Sequence, residues 1–87
     1  MALEFDPEKD VLNVAKHGVS LARATELDVR VVVQDGRYAE ARSRAYGFLD
    51  DLPYCLAFVF RGETIRAISL RRAHLREFKR YVPTDEE

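Results

Sequence analysis

The sequence predicts a small α+β domain in which an antiparallel sheet packs on helices. Three observations carry the prediction. Helix start and stop signals crowd into the first 27 residues. From Val29 to Leu70, short β-rich runs alternate with turn residues. Helical spacing returns at Ala73–Tyr81. The expected order is a short N-terminal strand, two helices, an antiparallel β-sheet meander and a C-terminal helix. These form one domain over residues 1–82, with an acidic tail at 83–87.

Leu3–Phe5 reads as an edge strand. Asp6-Pro7 then starts a helix, because Asp6 can cap and Pro7 suits the first helical position, where its missing N–H costs nothing. Val11, Val14 and Ala15 recur at helical spacing, with Leu12 beside them, and are expected to face the core. Gly18 stops the helix by taking the left-handed conformation. Ser20 caps a second helix with Leu21, Ala24 and Leu27 inward. Val29–Gln34 holds three consecutive β-branched residues and reads as a strand. Asp35-Gly36 breaks it, and Arg37–Arg44 reads as a loop. Arg44–Leu49 is a strand, and Asp50 to Pro53 a turn. Tyr54–Phe60 is apolar at nearly every position, as a central strand covered on both faces would be. Arg61-Gly62-Glu63 turns into a last strand from Thr64 to Leu70 or Arg72. The final helix is expected to bury Leu75 and Phe78.

The chain has 87 residues, too few for a second domain. Its 47% hydrophobic and 33% charged content suits an ordered globular protein. The single cysteine, Cys55, cannot form an internal disulfide, so nothing points to secretion. With no signal-peptide pattern and no apolar run near the ~20 residues of a membrane span, a cytoplasmic protein without membrane contact is expected.

Charge is sorted along the chain. Arg61–Tyr81 holds seven basic and two acidic residues, a net +5, while the rest holds seven and thirteen, a net −6; together they give the overall −1. Basic residues interleaved with apolar ones on a strand and helix suit a phosphate-binding surface, since arginine grips phosphate with a planar bidentate fork. Regular alternation would put Arg66, Ile68, Leu70 and Arg72 on one face, and Ile65, Ala67, Ser69 and Arg71 on the other. A solvated face paired with the acidic half is the other reading of these arginines.

Lys16-His17-Gly18 closes the first helix, with Asn13 one turn before His17. An imidazole there suits general acid–base work or the capping of the last carbonyls. His74 reads as a surface residue. The two histidines and one cysteine lack metal-ligand spacing, so neither metal nor cofactor is expected. Scattered single glycines offer no nucleotide loop. Tyr38, Tyr46, Tyr54 and Tyr81 suit base stacking or half-buried structural roles.

Two blocks resemble a known family. One runs Leu3-Glu4-Phe5-Asp6-Pro7-Glu8-Lys9, through Asn13, to Lys16-His17-Gly18-Val19-Ser20. The other runs Arg66-Ala67-Ile68-Ser69-Leu70-Arg71-Arg72-Ala73, on to Glu77 and Tyr81. With Arg44 and Gly47 in mid-chain, they are similar to the BrnT family of bacterial type II toxins, over essentially the whole chain. Phe5 stands where tryptophan is usual, Leu21 where phenylalanine is common, and Leu70 where the family has alanine. The resemblance implies a RelE-like fold and a ribonuclease that cleaves RNA without metal. It also implies a BrnA-like ribbon-helix-helix antitoxin that neutralises it, DNA contact only through that antitoxin, and a dimer or a heterotetramer with it. On this basis the catalytic candidates are His17, Lys16, Arg66, Arg71 and Glu77. Arg44, Arg66, Arg71 and Arg72 are the RNA phosphate contacts. The alternative is a catalytically weak or inactive basic module that binds antitoxin or nucleic acid, because Leu70 beside the site spoils it. A third reading is a purely structural partner whose charges serve a protein interface.

Overall fold

The computed structural model describes residues 2–36 and 41–83. Its elements are β1 (Ala2–Glu4), α1 (Pro7–His17), a 3₁₀ helix (Leu21–Glu26), β2 (Asp28–Asp35), β3 (Arg42–Leu49), β4 (Leu52–Arg61), β5 (Thr64–Arg72) and α2 (Leu75–Tyr81). The five strands make one sheet in the order β1-β5-β4-β3-β2. Only the β1–β5 pair is parallel. The expected α+β class holds, and β4 is the central strand. Tyr38 and most of the acidic tail lie outside the described residues. No helix among the described residues is long and apolar enough to cross a membrane.

Local signals act as read. The Asp6 carboxylate accepts the Glu8 N–H at 2.9 Å, Pro7 opens α1, and Gly18 ends it at φ 75°. The Ser20 hydroxyl accepts the Ala22 N–H at 3.1 Å, but the helix it caps is 3₁₀ rather than α. β3 begins at Arg42, so the expected loop is shorter at its end. The turn before β4 needs only Asp50 and Asp51, both left-handed at φ 53° and 64°, and Leu52-Pro53 already belongs to β4. Two left-handed residues are what a right-twisted two-residue hairpin requires.

Two apolar cores lie on opposite faces of the sheet. On the back, Val19, Leu21 and Leu27 pack on Ala45, Leu56, Phe58, Ala67 and Leu70. On the front, Ala73, Phe78 and Val82 pack on Tyr46 and Cys55. The packing of both end helices differs from expectation. Val11 and Leu12 are each 68% exposed, and Val14 and Ala15 are exposed too; the residue α1 buries is Asn13. In α2, Phe78 is buried and Leu75 is exposed.

Polar bonds therefore dock α1. The Asn13 amide donates to the carbonyls of Val19 (2.8 Å) and Leu70 (2.9 Å), and its oxygen accepts the Leu70 N–H (3.1 Å). The Asp10 carboxylate accepts the Leu21 N–H at 2.7 Å and the Ser20 hydroxyl. β1 pairs with β5 only at Thr64–Arg66, so the edge beyond it would leave the Leu70 backbone unpaired. Asn13 satisfies both of its groups as a neighbouring strand would.

Two irregularities set which side chains share a face. Between β2 and β3 the pairing steps from Val29–Gly47 to Val31–Tyr46 and skips Arg30. A Cβ on Gly47 would run into the Asp28 carbonyl and Val29 Cα, so only glycine fits there. Between β4 and β5 it steps from Ala57–Ser69 to Phe58–Ala67 and skips Ile68. Such bulges reverse the alternation beyond them.

Candidate active site

Paired residues in a sheet share a face. Cys55, Ala57 and Val59 of β4 face the front, and their β5 partners are Arg71, Ser69 and Arg66. The Ile68 bulge thus puts Arg66 and Arg71 on one face, where regular alternation would separate them. Leu70 and Ala67 pair with Leu56 and Phe58 and face the back. On β3, Arg44 and Tyr46 pair with Ala57 and Cys55, so they face the front as well.

The front face carries a cleft of about 170 Å³ lined by Asp35, Arg42, Arg44, Cys55, Ser69 and Arg71, among others. A second cleft of about 250 Å³ is lined by Lys9, Leu12, Lys16 and His17. Both clefts share Ile68 and Ser69 as a wall. Together they form a trough from the end of α1 to the arginines.

A hydrogen-bonded chain closes one end of the trough. Arg44 Nη1 donates to the Tyr46 hydroxyl at 2.7 Å, and that hydroxyl donates to Glu77 Oε2 at 2.6 Å. Arg71 holds both Glu77 oxygens, Nη1 to Oε1 at 3.1 Å and Nη2 to Oε2 at 2.9 Å. Arg44 lies 3.7 Å from Glu77 Oε2 and, through Nε, 3.7 Å from Asp35 Oδ2. Stacking fixes the chain: Tyr46 lies on Tyr81 at 4.9 Å and 17°, and the Arg44 guanidinium sits 5.4 Å from the Tyr81 ring. The bidentate Arg71 fork, then the Tyr46 hydroxyl, hold the Glu77 carboxyl down at about 2. Burial, then the Glu77 carboxylate, push the Tyr46 phenol up. Glu77 is ionised at neutral pH and poor at taking a proton; it positions Arg71 and Tyr46.

His17 sits at the other end. Burial lowers its pKa, and the charges of Lys16 and Arg71 lower it further. The imidazole is therefore held toward its neutral form, the form that accepts a proton.

Of the residues singled out in the sequence, His17, Lys16, Arg44, Arg71 and Glu77 line or border the trough. Arg66 shares the front face and pairs with Glu4 at 2.9 Å. Arg72 pairs with Tyr54 and lies over its ring at 5.8 Å, on the back of the sheet and apart from the other arginines. The Leu70 side chain is fully buried in the back core, so it does not crowd the trough. Sequence reasoning missed Tyr46 and Asp35 as partners of Arg44, and Glu4 as the partner of Arg66. The spacing of two between Arg44 and Tyr46 was the available signal; the Glu4–Arg66 pair spans 62 positions and left none.

The sequence profile described as "Ribonuclease toxin, BrnT, of type II toxin-antitoxin system" matches residues 5–77. The crystal structure of the Brucella abortus ribonuclease toxin, BrnT, superposes with a TM-score of 0.68 and 26% identity, covering 85% of this chain and 97% of that one. Comparison with curated protein sequences gives no match.

Proposed function

The chain belongs to the BrnT family of ribonuclease toxins of type II toxin–antitoxin systems, and from that premise we propose that it cleaves RNA without a metal ion, in the trough between α1 and the front arginines. The RNA 2′-hydroxyl oxygen attacks the adjacent phosphorus. The new O–P bond forms as the bond to the 5′-oxygen breaks, leaving a 2′,3′-cyclic phosphate and a 5′-hydroxyl. His17 takes the proton from the 2′-hydroxyl, and Lys16 supplies one to the leaving oxygen. Arg71 and Arg44, held by Glu77 and Tyr46, offset the charge that builds on the phosphoryl oxygens. Arg66 contacts the neighbouring phosphate.

The observation that carries the reading is one trough with an imidazole at one end and two positioned guanidiniums at the other. The binding-only alternative rested on Leu70, whose side chain lies in the opposite core.

We assign the antitoxin role to a BrnA-like ribbon-helix-helix protein, with DNA reached only through it, in a dimer or a heterotetramer acting in the cytoplasm. The test is end-group analysis of RNA incubated with purified protein in EDTA. Cyclic-phosphate ends that vanish with His17→Gln support the proposal. Cleavage that depends on added metal contradicts it.

A further inference from the structure

The trough arginines are not free cations. Arg44 and Arg71 share Glu77, Arg44 also lies beside Asp35, and Arg66 is held by Glu4. An incoming phosphate must compete with carboxylates already in place. Affinity for a polyanion comes mainly from cations that release condensed counterions on contact, and these three cannot supply much of it before the carboxylates are displaced.

Exposed positive charge lies next door, on α2. Arg76, Lys79 and Arg80 are all exposed, and among the described residues none of them is in an ion pair. The one acidic residue of the helix is Glu77, which is turned to Arg71 and Tyr46. Arg76 and Arg80 stand four residues apart, on one side of the helix. With His74 and Glu77 they line a cleft of about 430 Å³. Glu77 borders this cleft and bonds Arg71 in the trough, so the two sites adjoin across a single side chain.

We propose that the Arg76–Arg80 face of α2 is a second binding site, a track for the phosphodiester backbone of single-stranded RNA leaving the trough. It rests on the RNA-cleaving reading above and adds to it. The track supplies the sequence-independent affinity, and the trough supplies the chemistry. Arg72 on the back face belongs to neither.

The experiment measures binding of a 2′-O-methyl RNA of about 20 nucleotides, which cannot be cleaved, across a salt series. The proteins are the full chain, Arg76→Ala with Arg80→Ala, and Arg76→Lys with Arg80→Lys. Two lost contacts at about 0.7 each lower the slope of log affinity against log salt by about 1.4 and weaken binding roughly 20-fold near 0.1 M salt. The lysine pair retains most of the affinity, because the contact is to charge. A short RNA that fills only the trough is cleaved at the same rate by all three. Unchanged affinity and slope in the folded alanine pair overturn the track, even if the wild type cleaves RNA. Loss of antitoxin binding with RNA binding intact also overturns it, placing the face in a protein interface. A wild type that binds RNA through this face but does not cleave it sinks the catalytic reading and leaves the track standing.

Discussion

Arg66 and Arg71 lie five positions apart on one strand, yet both face the front of the sheet. An odd spacing on a regular strand would set them on opposite faces. The skipped Ile68 reverses the alternation between them, and it also puts Arg66 and Arg72, which regular alternation would set on one face, on opposite faces. The consequences can be measured at several residues.

Asn13 holds α1 to the edge of β5 through three bonds, two of them to the Leu70 backbone. Asn13→Ala leaves buried backbone groups unpaired and is expected to cost about 3 kcal/mol. In a domain of this size that lowers Tm by roughly 12–20 °C, readable by calorimetry. RNA cleavage falls too, because His17 loses its anchor.

Gly47 sits against the Asp28 carbonyl at the β2 bulge. Gly47→Ala must move the backbone of β2, with a loss of about 2 kcal/mol or more in urea denaturation. Gly36→Ala has nothing within 4 Å of its new methyl and serves as the control.

Glu77 titrates at about 2 against an ordinary 4.5, because Arg71 and then Tyr46 hold its ionised form. A depressed folded pKa gives stability that is complete above pH 4.5 and is lost as pH falls toward 2. The pair is partly exposed, so the contribution is about 2 kcal/mol. Glu77→Gln should be less stable than wild type at pH 7, and the gap should close on approach to pH 2 in urea titrations.

Burial, then the charges of Lys16 and Arg71, lower the His17 pKa from that of an ordinary imidazole. As a general base it makes kcat/KM rise with pH through a value below that of an ordinary imidazole and then level off. His17→Gln should remove that acid limb and lower the rate about 10²–10⁴-fold.

Much of this was legible before the structure. The caps at Asp6, Pro7 and Gly18, the apolar run of β4 and the turn at Gly62 are local signals, and each acts locally. What failed depends on distance. The apolar stripe of α1 pointed to a hydrophobic docking face, but Asn13 and Asp10 dock the helix with hydrogen bonds to groups far along the chain. The facing of Arg66 and Arg72 hinged on one bulge, which pairing with β4 decides and β5 alone does not. The candidate site was legible in part: His17 stands at one end of the trough and Arg44, Arg71 and Glu77 at the other, but the chain Arg44–Tyr46–Glu77–Arg71 joins three elements and has no signature within any of them.

The central claim is that the front of the sheet, and not the whole arginine cluster, is the active face. The most direct measurement compares RNA cleavage rates of Arg71→Ala and Arg72→Ala, each shown to be folded by near-ultraviolet circular dichroism. The expected result is a loss of about 10²–10³ for Arg71→Ala, as for removal of a charge-stabilising donor, with Arg72→Ala close to wild type. Equal losses, or a larger loss at Arg72, would contradict the assignment.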